Sequence, residues 1–145
     1  MNYFTEDVLE QSCIEIFESL GYEYRFGPDL APDGLSAERA NYLDVVLKDR
    51  LIVNLNKIYA GLPAEAISEA VKKVLHLDSP SMLINNKTFH KYITDGIDIS
   101  FREYGAEKHK KVYLFDTVNA KNNDFLIVNQ FTVIEKHDRR PDLVV

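Results

Sequence analysis

A single cysteine, Cys13, and no tryptophan occur in this chain of 145 residues. One thiol excludes an internal disulfide and any multi-cysteine metal site, and it makes a reducing, cytoplasmic setting the expectation. The histidines, His76, His90, His109 and His137, lack zinc-like spacing, so no structural metal is expected. No stretch approaches the ~20 apolar residues of a membrane span, and the opening MNYFTEDVLEQ carries acids where a signal peptide would carry lysines. Also missing is a phosphate-binding glycine loop ending in Gly-Lys-Ser or Gly-Lys-Thr. Positive charge is scarce: 17 Lys and Arg face 23 Asp and Glu, for a net charge of -6, which argues against a stand-alone grip on nucleic acid.

What is present reads as ordinary globular protein. With 46% hydrophobic residues and few prolines and glycines, the chain suits one domain spanning residues 1–145 with its own core. Thr5 can cap a helix whose first turn carries Glu6 and Asp7 and whose apolar positions are Leu9, Cys13, Ile16, Phe17 and Leu20, with Gly21 as the stop. A loop with one short extended piece follows. Further helices are expected over 41–57, from Pro63 through Leu75, and over 81–92 with a close near Gly96.

The period then changes from helical to alternating. Ile97, Ile99 and Phe101 face one way and Asp98, Ser100 and Arg102 the other, as in a half-buried strand. Residues 105–110 read as a polar turn, 111–118 as a second strand, and 125–135 as a third that runs through the middle of a sheet. Residues 143–145 open a fourth. The expected class is α/β in the α+β sense: a helical part over about 1–96, then a mixed, mainly antiparallel sheet over about 97–145.

Chemistry is most concentrated in HDRRPDLVV, 137–145. Pro141 fixes the backbone ahead of a strand, so Asp142 projects a carboxylate from a well-held position, as a Mg2+ site requires. A phosphodiesterase would add a second acid and a lysine; the alternative is a plain turn. Lys108, His109, Lys110 and Lys111 make the densest basic cluster, fitting either a solvated turn or a contact with DNA or a partner.

The ordered steps Asn123-Asp124-Phe125, Asn129-Gln130-Phe131 and Arg139-Arg140-Pro141-Asp142 resemble the N-terminal region of the R subunit of type I restriction enzymes. The resemblance extends back through GIDISF, ERANYLDVVL and the Leu20-Gly21-Tyr22 ending of the first helix. It implies an incomplete restriction-endonuclease-like fold of the PD-(D/E)xK type, in which Asp142 binds Mg2+ and Glu10 is a helical acid near the metal. Arg139, Arg140 and Gln130 become candidate DNA contacts. The family's Asn-Gly turn and Glu-x-Lys strand are expected beyond Val145, and ATP use is expected in motor domains outside this chain. The implied partners are DNA and the modification and specificity subunits of a restriction complex. A non-catalytic module that binds DNA or docks the R subunit on the methyltransferase core is the competing function.

Overall fold

A computed structural model describes residues 5–145; residues 1–4, which open the stretch read above for a signal peptide, lie outside it. In chain order the elements are α1 (Glu6–Ser19), β1 (Glu23–Phe26), α2 (Gly27–Leu30), α3 (Lys48–Ile58), α4 (Ala64–Leu75), α5 (Met82–Asp95), β2 (Ile97–Glu103), β3 (Ala106–Val112), a 3-10 turn (Ala120–Asn122), β4 (Leu126–Asn129), β5 (Val133–Ile134), β6 (Asp138–Arg139) and β7 (Leu143–Val144). Helices dominate the first part and small mixed sheets the second, as the change of hydrophobic period implies. The described residues form two compact units, one running up to residue 47 and joined by 124–145, the other from 48–123.

The first unit is built on a three-stranded sheet in the order β1-β4-β7. β1 runs parallel to β4, with Glu23 opposite Leu126 and Phe26 opposite Asn129, while β7 runs antiparallel, with Leu143 opposite Asn129. The central strand is the apolar run that sequence places mid-sheet: Ile127, Val128 and Asn129 are all buried. Val128 packs with Leu30 and Phe131, and Leu47, Leu126 and Val133 close the edges of that core. Edge-on contact of the Phe17 and Tyr22 rings at 5.0 Å, and a tilted contact of Tyr22 with Phe125 at 5.1 Å, tie the end of α1 to the starts of both strands.

Two expectations change here. α1 begins after Thr5 and its chain reverses at Gly21, with φ +94°, but its inner face carries buried Ile14 and half-buried Glu10, Cys13 and Phe17. Ile16 and Leu20, assigned above to the core stripe, are 58% and 68% exposed. The expected strand over 125–135 stops at Asn129, because Gln130 adopts φ +53°, a left-handed conformation that a β ladder cannot continue.

The loop ahead of α3 explains why no helix begins at residue 41. The Asn41 side chain accepts the N–H groups of Leu43 and Asp44, and the Asp44 carboxylate accepts those of Ala40 and Asn41, so side chains satisfy the donors that a helix would need. Buried Arg39 fastens this loop from within: it donates to the carbonyls of Thr132 at 2.6 Å and Asp44 at 3.3 Å, and its guanidinium lies 3.9 Å from the Phe131 ring centre.

In the second unit α4 buries Ala66, Ile67, Ala70, Val71 and Val74 against α3 and β2. β2 contributes alternate residues Ile97, Ile99 and Phe101, as its sequence period requires. The β2–β3 hairpin turns on two residues, Tyr104 at φ +52° and Gly105 at φ +80°, so residues 106–110 are strand rather than the polar turn expected above. Residues 106–111 are all exposed, and a strand with neither face buried leaves no alternation to read. β3 ends at Val112, short of the expected Val118, and Asp116 then organises a turn. Its carboxylate lies below the ordinary carboxylate range because it accepts from the N–H of Asn119, from the Asn122 amide and from the N–H of Val118.

A candidate metal and nuclease site in the first unit

The half-turn between β4 and β5 gathers the polar groups of the first unit. Gln130, held at positive φ, points its N–H at the carbonyl of Asp142, 3.0 Å away. Its side-chain amide donates to Oε2 of Glu10 at 2.9 Å, while Nδ2 of Asn129 donates to Oε1 of the same carboxylate at 2.7 Å. The Tyr24 hydroxyl in turn donates to Oδ1 of Asn129 at 3.0 Å. One continuous set of hydrogen bonds therefore links β1, α1, the end of β4 and the start of β7.

Sequence order hides this cluster. Glu10 lies 119 positions from Asn129 and is brought beside it because α1 packs its Glu10–Ile14–Phe17 face inward. Gln130 reaches both Glu10 and the Asp142 backbone because its N–H continues the β4–β7 register to the Asp142 carbonyl while its side chain meets Glu10. Gly27 makes room for that backbone: a Cβ there would collide with the carbonyl of Asn129 and stand 2.8 Å from the carbonyl carbon and oxygen of Gln130.

Three residues singled out from sequence, Glu10, Gln130 and Asp142, thus fall in one place. The Asp142 side chain is exposed and makes no hydrogen bond or ion pair with any described residue; its backbone is fixed by Gln130 and by the pairing of Leu143 with Asn129. Arg139 pairs in β6 with Val133 of β5, and both Arg139 and Arg140 are exposed, with no hydrogen bond joining their side chains to the cluster among the described residues. Asn129, named above only as part of the Asn129-Gln130-Phe131 step, and Tyr24 carry no site role from sequence. A polar residue closing the apolar run Leu126–Asn129 is the signal that marks Asn129, whereas Tyr24 carries none.

The chemistry of the donors fits a hard cation. Carboxylate oxygens are what Mg2+ takes, and a typical Mg2+ site draws on one or two protein carboxylates, with water and phosphate completing the shell. Among the described residues no group of three or more His, Cys, Asp or Glu side chains could hold a metal; Glu10 and Asp142 are the carboxylates of this junction that could take part in one. Burial and the adjacent Glu10 charge push the Tyr24 hydroxyl above its ordinary range, which keeps it a neutral donor.

The basic cluster lies elsewhere, in the second unit. Lys108, Lys110 and Lys111 are spread along β3 rather than gathered at a tip, and two are internally paired: Lys108 with Glu103, and Lys111 with Asp98 at 3.3 Å. Lys110 lies 5.5 Å from the centre of the Tyr59 ring. Two of the cluster's three lysines thus pair within the hairpin.

Comparison with known proteins identifies the family. The family described as type I restriction enzyme R protein N terminus matches residues 3–145. A protein of Methanocaldococcus jannaschii assigned as the type I restriction enzyme MjaIXP endonuclease subunit is 35% identical over 142 residues, 95% of this chain. The type I restriction enzyme HindI endonuclease subunit of Haemophilus influenzae is 30% identical over 141 residues, 96% of this chain. The chain spans 13% of the length of each of these relatives. No solved structure matches. No helix among the described residues is long and apolar enough to cross a membrane. The chain belongs to the family of type I restriction enzyme R protein N-terminal regions.

Proposed function

We propose that this chain is the endonuclease region of a cytoplasmic type I restriction R subunit that cleaves DNA phosphodiesters in defence against foreign DNA. The observation that carries the reading is the convergence of Glu10, Gln130 and Asp142 at the junction of β4 and β7. Asp142 and Glu10 would hold Mg2+, and bound Mg2+ supplies charge neutralisation at the phosphate and a more acidic water. Gln130 fixes the Glu10 carboxylate and the Asp142 backbone at once. Arg139 and Arg140, exposed on the segment leading into Asp142, are placed to meet DNA phosphates.

The PD-(D/E)xK chemistry needs a further acid and lysine, and no Glu-x-Lys step follows Asp142 within the 145 residues. ATP-driven translocation belongs in motor domains of the longer polypeptide. The full-length subunit, assembled with its modification and specificity subunits, is expected to cut DNA in Mg2+ and to stop in a chelator. The 145-residue chain alone is expected to leave the same DNA intact. Chelator-resistant cutting by the full-length protein, or Mg2+-dependent cutting by the short chain, would sink this reading.

A second role, assembly, is favoured by one feature of the other unit. α5 has no buried residue and leaves Met82, Leu83 and Ile84 exposed, Leu83 at 78%. Apolar side chains grouped on one helix end mark a surface for a partner, here proposed as the modification subunits. Replacing Leu83 with Glu is expected to weaken co-purification with those subunits by about 10-fold or more. Unchanged recovery across a salt series would remove the assembly role.

A further inference from the structure

We infer that Asn129 and Tyr24 are positioning residues for the metal site, setting the orientation of the Glu10 carboxylate through a directed chain of hydrogen bonds; this rests on the nuclease reading above. The direction of the chain follows from what each group can do. An ionised Glu10 accepts only, so both groups that meet its oxygens must donate. Gln130 meets one oxygen with its amide N–H at 2.9 Å and Asn129 the other at 2.7 Å.

An asparagine amide has two ends and could turn either one toward Glu10. The Glu10 carboxylate, which only accepts, draws Nδ2 toward it, and the Tyr24 hydroxyl donates at 3.0 Å to the Oδ1 that remains, holding the amide in that orientation. Turning the amide over would set an oxygen against the carboxylate, and the donated bond from Tyr24 to Oδ1 would be lost. Asn129 is 7% exposed, so water is poorly placed to supply a substitute for either bond.

The surroundings hold this chain in place. Tyr24 sits in β1, in register with Ile127 of β4, two positions before Asn129. Gly27 lets the Asn129–Gln130 backbone approach closely, and the N–H of Gln130 ties the far end to Asp142 at 3.0 Å. Glu10 is thus gripped at both oxygens, and its direction relative to Asp142 is set by β4. Groups that orient a metal ligand in this way typically contribute about 10- to 100-fold to metal affinity or activity.

The test uses the full-length subunit without nucleotide, titrated with Mn2+ alone as probe, and the assembled complex for DNA cleavage over a Mg2+ series. Tyr24→Phe removes one hydroxyl and keeps the ring; it is expected to raise the half-saturating Mn2+ and Mg2+ concentrations by roughly 5-fold. Asn129→Leu, of similar volume, is expected to raise them by about 10-fold or more. Both effects should vanish when Glu10 is already Ala, because the two residues act through that carboxylate. Tyr24→Phe, with a thermal midpoint checked against the parent, keeps the test decisive if Asn129→Leu folds poorly.

Should Glu10→Ala impair metal dependence while Tyr24→Phe leaves it within 2-fold of the parent, or act equally on the Glu10→Ala background, the positioning role is overturned. Should Glu10→Ala and Asp142→Ala both keep the parent's metal dependence and cleavage, the nuclease reading itself has failed, and this inference with it.

Discussion

Asp142→Ala in the full-length subunit is expected to lower DNA cleavage by about 10³-fold, the scale at which removal of a single electrostatic contributor slows a reaction. Protein stability should change by no more than about 0.5 kcal/mol, as for ordinary surface substitutions. The two effects separate because Asp142 divides its work by atom. Its carbonyl accepts the N–H of Gln130, a bond that alanine keeps, while its exposed carboxylate has no partner among the described residues. Pro141 still fixes the backbone, and Leu143 still pairs with Asn129. A time course of cleavage beside a thermal melt of the same variant checks both halves.

Gly27→Ala should do the reverse, striking the fold first. The added Cβ would overlap the Asn129 carbonyl and lie 2.8 Å from backbone atoms of Gln130, none of which can rotate away. Relief requires β1 to part from β4 or Gln130 to leave its left-handed conformation. Overpacking of this kind costs about 3 kcal/mol, which lowers the unfolding midpoint by roughly 10 °C. Gly61→Ala is the matched control, since nothing lies within 4 Å of a Cβ at that position. A midpoint for Gly27→Ala equal to that of Gly61→Ala would show that the close approach does not govern the turn at Gln130.

Sequence reading recovers an element when one face is buried and the period is clean. α4 and β2 are of this kind: Ala66, Ile67, Ala70, Val71 and Val74 recur helically, and Ile97, Ile99 and Phe101 alternate. It misplaces elements where side chains compete with the backbone or where no face is buried. Asn41 and Asp44 hold back the start of α3, and β3 shows no pattern over its exposed residues. The inner face of α1 is misread for a third reason. Hydrophobic periodicity selects Leu9, Cys13, Ile16, Phe17 and Leu20; packing keeps Cys13 and Phe17 but completes the inner stripe with Ile14 and with Glu10, a carboxylate. Asp142 is legible from its place behind Pro141, and Glu10 and Gln130 become candidates with the family resemblance, but their meeting passes through a left-handed residue at 130 that no periodicity signals. Tyr24 was illegible because its role rests on one hydroxyl across a parallel strand pair.

Metal binding tests the central claim most directly. Mn2+ bound to the nucleotide-free full-length subunit, counted by equilibrium titration, should show one site in the parent that Asp142→Ala loses or weakens by about 10-fold or more. Equal Mn2+ binding by parent and Asp142→Ala, with equal rates of DNA cleavage, would contradict the assignment of Asp142 to a nuclease metal site.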